Sequence, residues 1–174
     1  GPAAVARNIT LLISSLSDIR DYGVPQLPRP AYARPDGQVV APVLPSNGWD
    51  GLLFQGFTAE VWMDPTLRLD QLEANQAAFY RQASPKGKVA LVLGAGNHSA
   101  IGPMDALYKL FVEGQVVIMK MNPVNENVGP FVDKAFSSLS EAGFFKVVYG
   151  GANEGDYLCK HEFIEEIHIT GSDK

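Results

Sequence analysis

A chain of 174 residues is long enough for one ordinary domain and short for two, and at 46% hydrophobic residues it can build a real core. Its net charge of −5, with a pI near 5.1, excludes the basic surface that nucleic acid or an anionic membrane would require. No stretch approaches the roughly 20 apolar residues of a membrane span. The single cysteine, Cys159, excludes an internal disulfide framework and makes the cytoplasm the expected compartment.

In chain order, Gly1-Pro2 resembles the remnant left by a tag-removing protease. Val5, Ile9, Leu12, Leu16 and Ile19 recur at helical spacing and predict an amphipathic helix over residues 3–19. Residues 20–56 hold many of the 12 prolines, which remove backbone donors and disfavour helix before them, so an extended wrapping segment is expected. Trp49 and Trp62 are expected to anchor it to the core or to a partner chain. A short strand is predicted over Phe57–Met63 and a second helix over Leu67–Gln82. The composition changes near Ser84-Pro85, which divides an N-terminal part (3–85) from a C-terminal one (86–174).

Beyond that boundary the pattern is regular. Residues 88–93, 115–119, 145–149 and 166–169 are short, β-branched-rich runs. Between the first three lie helical faces, Met104/Leu107/Tyr108/Phe111 closed by Gly114 and Val128/Phe131/Val132/Ala135/Leu139/Ala142 closed by Gly143. Alternating strands and helices predict a parallel sheet with crossover helices. The fold class is α/β: a Rossmann-like parallel sheet with flanking helices, preceded by a helical and extended N-terminal segment. The last residues, 167–174, stop just after a predicted strand, at the edge where such sheets bind ligands, so the sequence is expected to be part of a longer chain.

The first of these strands runs into Gly94-Ala-Gly-Asn-His-Ser-Ala-Ile-Gly102, close to G-x-G-x-x-G but with Ser99 at the third glycine. Such a turn can bring backbone N–H groups to a dinucleotide phosphate. The plainer alternative is that Gly94 and Gly96 only supply positive φ. An ordinary NAD site has an acidic residue at the end of the next strand to hold the ribose. Here that position is Lys120, which can donate to a ribose or a 2′-phosphate, or else is a lysine snorkelling at a strand end.

These segments together resemble the aldehyde dehydrogenase superfamily. Val89–Asn97 resembles the family's strand ending in Pro-Trp-Asn, and Gly114–Lys120 its glycine, apolar strand and lysine. Glu141–Gly151 is similar to its Glu-Ala-Gly segment with a following glycine pair, and Ile167–Ser172 to its Phe-Thr-Gly-Ser strand end. The resemblance covers roughly residues 86–174. It implies that Asn97 stabilises an oxyanion and that Lys120 contacts the adenosine ribose or a 2′-phosphate. It also implies that Gly94, Gly151, Gly171 and Ser172 approach the cofactor, NAD or NADP. Its chemistry needs a cysteine nucleophile and a glutamate base, both expected beyond Lys174, and the substrate would be an aldehyde or an acyl group. The chain as given is then expected to be inactive, and a homo-oligomer is expected from an exposed sheet edge. The departures are Ala95, Gly96 and Pro123, the last where many members carry a ribose-holding glutamate.

Two readings of other classes stand beside it: a non-catalytic nucleotide-binding or assembly module on the same fold, and a different α/β enzyme with a Gly94 phosphate loop. Cys159 reads as an ordinary thiol in a helical segment. His98, His161 and His168 are too scattered for a metal site, His98 reading as a loop residue and His168 as packing or surface. Glu162, Glu165 and Glu166 read as a solvated connection. No G-x-S-x-G motif supports a hydrolase.

Overall fold

A computed structural model describes residues 2–171, which fall into two compact units, one of residues 13–81 and one of the remaining described residues. The opening helix, α1 (Pro2–Tyr22), is longer at both ends than its periodicity predicts, and Gly23 with φ of 81° follows it.

Within the smaller unit the proline-rich stretch is not simply extended. β1 (Tyr32–Ala33), β2 (Val39–Leu44) and β3 (Ala59–Trp62) form an antiparallel sheet in that order, and α2 (Gly48–Leu53) joins the last two strands. Val39, Val40 and Ala41 are buried on β2, and the register shifts between Pro42 and Leu44, an irregularity beside a residue that cannot donate to the ladder. Asn47 caps α2 by accepting from Asp50 N–H at 2.9 Å. Trp62 lies beneath the Arg34 guanidinium at 4.0 Å, whereas Trp49 is 74% exposed and anchors nothing to the core. The helix expected over Leu67–Gln82 is broken: only α3 (Leu72–Asn75) is α-helical, between 3-10 turns at Leu69–Gln71 and Ala78–Arg81. Ala77 at φ of 51° ends the run, and Arg81 instead donates to the carbonyls of Gln76 and Glu73.

The larger unit holds β4 (Val89–Leu93), α4 (Ile101–Phe111), β5 (Val116–Lys120), α5 (Gly129–Ala135), α6 (Ser137–Glu141), β6 (Phe145–Val148), α7 (Ala152–Cys159) and β7 (Glu166–Ile169). The four strands are parallel and ordered β6-β5-β4-β7. The sheet grows outward from β4 in one direction and then restarts on its other side, so this is an α/β fold of Rossmann-like organisation. One continuous helix does not follow β5, as the apolar face suggests. A 3-10 turn over Pro123–Val128 leads into α5, and Phe136, with φ of −103° and ψ of 19°, separates α5 from α6.

Successive strand side chains point to opposite faces. Ala90 and Val92, Val117 and Met119, and Phe145 and Val147 share one face and pack with Ala106, Leu107 and Leu110 of α4 and Val132 of α5. Phe136 and Phe145 meet edge to face at 5.1 Å. The alternate residues Leu91 and Lys120 point to the other face, where a Cβ on Gly155 of α7 would sit 3.5 Å from the Lys120 side chain. On the edge strand, Ile167 and Ile169 of that face are 46% and 58% exposed.

At the amino ends of the strands the core is polar. Lys109, 4% exposed, is ion-paired with Glu113 at 2.7 Å and with Glu166. Gln115 donates to both carboxylates at 3.0 and 2.9 Å, and Lys88 reaches Glu166 at 3.4 Å. Glu165 accepts from Val89 N–H at 3.1 Å. The acidic run before β7 is therefore only partly a solvated connection, because Glu166 neutralises a buried lysine. The hydrogen bond from Lys109, then that from Gln115, holds the Glu166 carboxyl at about 2 against the opposing effect of desolvation. Desolvation works to lower Lys109, but its bonds to Glu113 and Glu166 outweigh this and raise it.

Two glycines let the sheet and α4 close up. A Cβ on Gly94 would stand 2.9 Å from the Lys120 carbonyl oxygen and 3.1 Å from Asn122 N, both backbone. Gly94 N–H donates to that same carbonyl at 2.8 Å. A Cβ on Gly102 would meet Met119 Sδ at 3.3 Å and Gly94 Cα at 3.5 Å.

Two outcomes are expected. Glu166 has a depressed folded pKa, so its stabilisation is complete above its unfolded value and is lost as pH falls towards about 2. Urea unfolding should find Glu166→Gln about 2 kcal/mol less stable at neutral pH, after discounting for partial exposure. That gap should close on acidification, and an undiminished gap at low pH would refute the linkage. Gly94→Ala should cost about 1–3 kcal/mol, because backbone must move, and Gly96→Ala less, because its neighbour is a side chain. Equal thermal shifts for the two would contradict this packing.

Candidate functional site

In an open α/β sheet, ligands bind beyond the carboxyl ends of the strands where the strand order reverses. Here the reversal lies between β4 and β7, whose ends pair as Leu93 with Ile169. The residues that leave those ends are Gly94-Ala95-Gly96-Asn97 and Thr170-Gly171, so the topology brings together two of the segments singled out in the sequence. Ser172 lies outside the described residues.

The glycine turn is held from below. Asn125 Nδ2 donates to the carbonyls of Ala95 and Gly96 at 2.8 and 3.1 Å. A Cβ on Gly96 would come within 3.2–3.4 Å of the Asn122 amide group. Neither Gly94 nor Gly96 has positive φ. The alternative that they serve only to reverse the chain is therefore wrong: at Gly94 the constraint is contact with the neighbouring strand's backbone. Close helix–strand packing, which the third glycine of G-x-G-x-x-G provides, falls to Gly102 while Ser99 is half-buried. Asn97 and His98 are exposed on the turn, and His98 Nδ1 accepts from Ala100 N–H at 3.2 Å.

Lys120 is not a snorkelling surface lysine. It is 6% exposed, and its ammonium donates to the Gly150 carbonyl at 2.5 Å and the Met121 carbonyl at 3.3 Å. β5 and the loop after β6 thus share one cation. Asn122 accepts from Val124 N–H at 3.0 Å and Pro123 takes the first position of the following 3-10 turn. The residue that departs from the resemblance is thereby accounted for as a helix start.

At the end of β6, Gly150 has φ of 132°, and a Cβ there would collide with Glu154 at 2.6–2.9 Å. The Glu154 carboxylate accepts from Gly151 N–H at 2.7 Å and so covers the amide of the N-cap residue of α7 with its own anion. Gly151 therefore lies beside Lys120 through Gly150, but its N–H is already engaged. Gly171, with φ of 153° and open space where a Cβ would stand, suits a chain leaving a strand end.

Cys159 is the last residue of α7, which runs back from β6 to the start of β7. It therefore lies towards the amino edge of the sheet, away from the crevice, and is half-buried. Among the described residues no group of three or more His, Cys, Asp or Glu could hold a metal ion. No helix of the described residues is long and apolar enough to cross a membrane.

The residues missed by sequence reasoning are Asn122, Asn125, Glu154, Asp105 and the polar role of His168. Two carried readable signals: Asn122-Pro123 is a helix start, and Glu154 stands three residues after Gly151 as in a capping box. Asn125 and Asp105 carried none, since their partners are about 30 and 63 residues away.

No family model matches the chain. It is similar to aldehyde dehydrogenase family 3 member A2 of Macaca fascicularis, 30% identical over 93 residues, which is 53% of this chain and 19% of that protein. The protein of the same name from Pongo abelii is 29% identical over 93 residues, again 53% of this chain and 19% of the relative. The matched stretch thus spans about a fifth of those relatives' length. Together with the α/β fold, these similarities support a relationship of this chain to the aldehyde dehydrogenase superfamily.

Proposed function

We propose that the chain supplies one side of the nucleotide crevice of an NAD(P)-dependent oxidoreductase. The parent protein would oxidise aldehydes, or reduce acyl groups, through a cysteine thioester formed outside this chain. The observation that carries the reading is the strand order β6-β5-β4-β7, which puts the Gly94–Asn97 turn beside Thr170-Gly171 at the reversal point.

The residues present fit a dinucleotide in two ways. The turn after β4 and the glycine at the end of β7 leave backbone accessible where a pyrophosphate would approach. Lys120 has the donor chemistry for a ribose hydroxyl or a 2′-phosphate, provided that it exchanges the Gly150 carbonyl for the ligand. When bound, the nicotinamide supplies a hydride acceptor. Asn97, exposed at the rim, offers an amide N–H₂ to the oxyanion that develops when a nucleophile attacks a carbonyl. Cys159 takes no part, for the topological reason above.

One observation favours the second reading in its assembly form, a non-catalytic module on the same fold that binds no nucleotide: the Lys120 ammonium and the Gly151 N–H already have protein partners. Titration of NAD⁺ and of NADP⁺ against the chain, followed by calorimetry, separates the two. The dehydrogenase reading expects saturable binding of at least one nucleotide, weakened several-fold by Lys120→Ala and untouched by Asn97→Ala. Circular dichroism of the Lys120 variant must show an intact fold, since that residue also ties β5 to the loop after β6. No binding of either nucleotide at millimolar concentration would reject the nucleotide site in favour of the module.

A further inference from the structure

The peptide group that joins Gly150 to Gly151 is held at its two ends by opposite charges. Its carbonyl accepts from the Lys120 ammonium at 2.5 Å, and its N–H donates to the Glu154 carboxylate at 2.7 Å. Two glycines make room for this arrangement. Gly150 carries no Cβ to block the Glu154 side chain folded over it, and Gly155 lets the Lys120 methylenes pass against α7, 3.5 Å from where its own Cβ would be.

The two ions differ in what they have left to offer. Lys120 is buried and already donates to two carbonyls. Glu154 is exposed, and a carboxylate can accept about four hydrogen bonds, so the one from Gly151 N–H orients it without exhausting it. An oriented acceptor with spare lone pairs is what an adenosine ribose requires. A dinucleotide site ordinarily supplies it as an acidic residue at the end of the second strand. That position is Lys120 here, and the next acidic residue along the chain is Glu126, on the far side of Pro123. The acid that the fold brings to Lys120 is Glu154, through the peptide they share.

We propose that Glu154 is the ribose acceptor of this crevice and that its charge makes the site select NAD over NADP. A ribose diol reaching the Gly150-Gly151 peptide meets a donor on one side and an acceptor on the other. A 2′-phosphate would gain the cation but set its own negative charge against Glu154, which cannot move away without uncapping Gly151 N–H. The selectivity thus comes from a repulsive element and not from an added attraction. The assignment rests on the nucleotide reading of the crevice.

Calorimetric titration of NAD⁺ and NADP⁺ into the full chain, for wild type, Glu154→Gln and Glu126→Gln at about 0.15 M salt, tests it. Glutamine can keep the bond to Gly151 N–H, so a Glu154 that only caps α7 would leave the ratio of the two dissociation constants unchanged. The expected wild type binds NAD⁺ more tightly than NADP⁺. Glu154→Gln should shift that ratio about tenfold towards NADP⁺, weakening the first nucleotide and tightening the second. Glu126→Gln removes an equal charge from the turn after β5 and should shift it less than about twofold. A wild type that prefers NADP⁺ overturns the assignment without any variant having to fold. So does a ratio that stays put in Glu154→Gln, or that moves as far in Glu126→Gln; each of these leaves the nucleotide reading standing. Binding of neither nucleotide overturns both.

Discussion

The contact on which the crevice depends is the approach of Gly94 to the end of β5. Its N–H donates to the Lys120 carbonyl at 2.8 Å, and a side chain at Gly94 would collide with that same oxygen. The turn after β4 is thus an extension of the parallel ladder, seated on neighbouring backbone. Gly102 continues the contact into α4, so strand, turn and helix close up together. Asn125 and Asn122 then hold the turn from beneath. A crevice built this way presents backbone at a fixed place, which is what recognition of a phosphate requires.

The two ends of the sheet differ in their physics. At the amino ends a network of Lys109, Glu113, Gln115, Glu166 and Lys88 locks the start of β7 to α4. Breaking one member would leave a buried charge uncompensated, which fixes the register of an edge strand that has few apolar contacts of its own. At the carboxyl ends Lys120 is satisfied by carbonyls alone and Asp105 keeps an unpartnered oxygen, as Gln115 Oε1 does at the amino ends.

The α/β class and the parallel sheet were legible, because short β-branched runs alternating with helical faces have one economical arrangement. The four strands lie where those runs predict them, from Val89 to Ile169. The misreadings share one cause. The helix expected over Leu67–Gln82 breaks at Ala77, and the one after β5 breaks at Phe136, because apolar spacing reports a buried face but not backbone continuity. In residues 20–56 the prolines hid β2, whose core residues Val39–Ala41 precede Pro42. At the site, Gly94 and Lys120 could be singled out by type and position, but the contacts that hold them could not. Gly94 answers to a neighbouring strand, and Lys120 to a carbonyl 30 residues further on.

By itself, then, the sequence determined the kinds of element, the presence of a glycine turn after a strand, and the absence of an acidic ribose acceptor at Lys120. These are properties of short windows, in which periodicity and residue chemistry act directly. Only the tertiary structure decided which side chains meet. The pairing of β7 with β4 creates the crevice, seats Glu166 on Lys109 and brings His168 between Asp105 and Thr170. Each of those contacts except His168–Thr170 joins residues more than 50 positions apart. No local pattern encodes them, because it is the hydrogen-bonded ladder and the packing of α4 across it that set their distance.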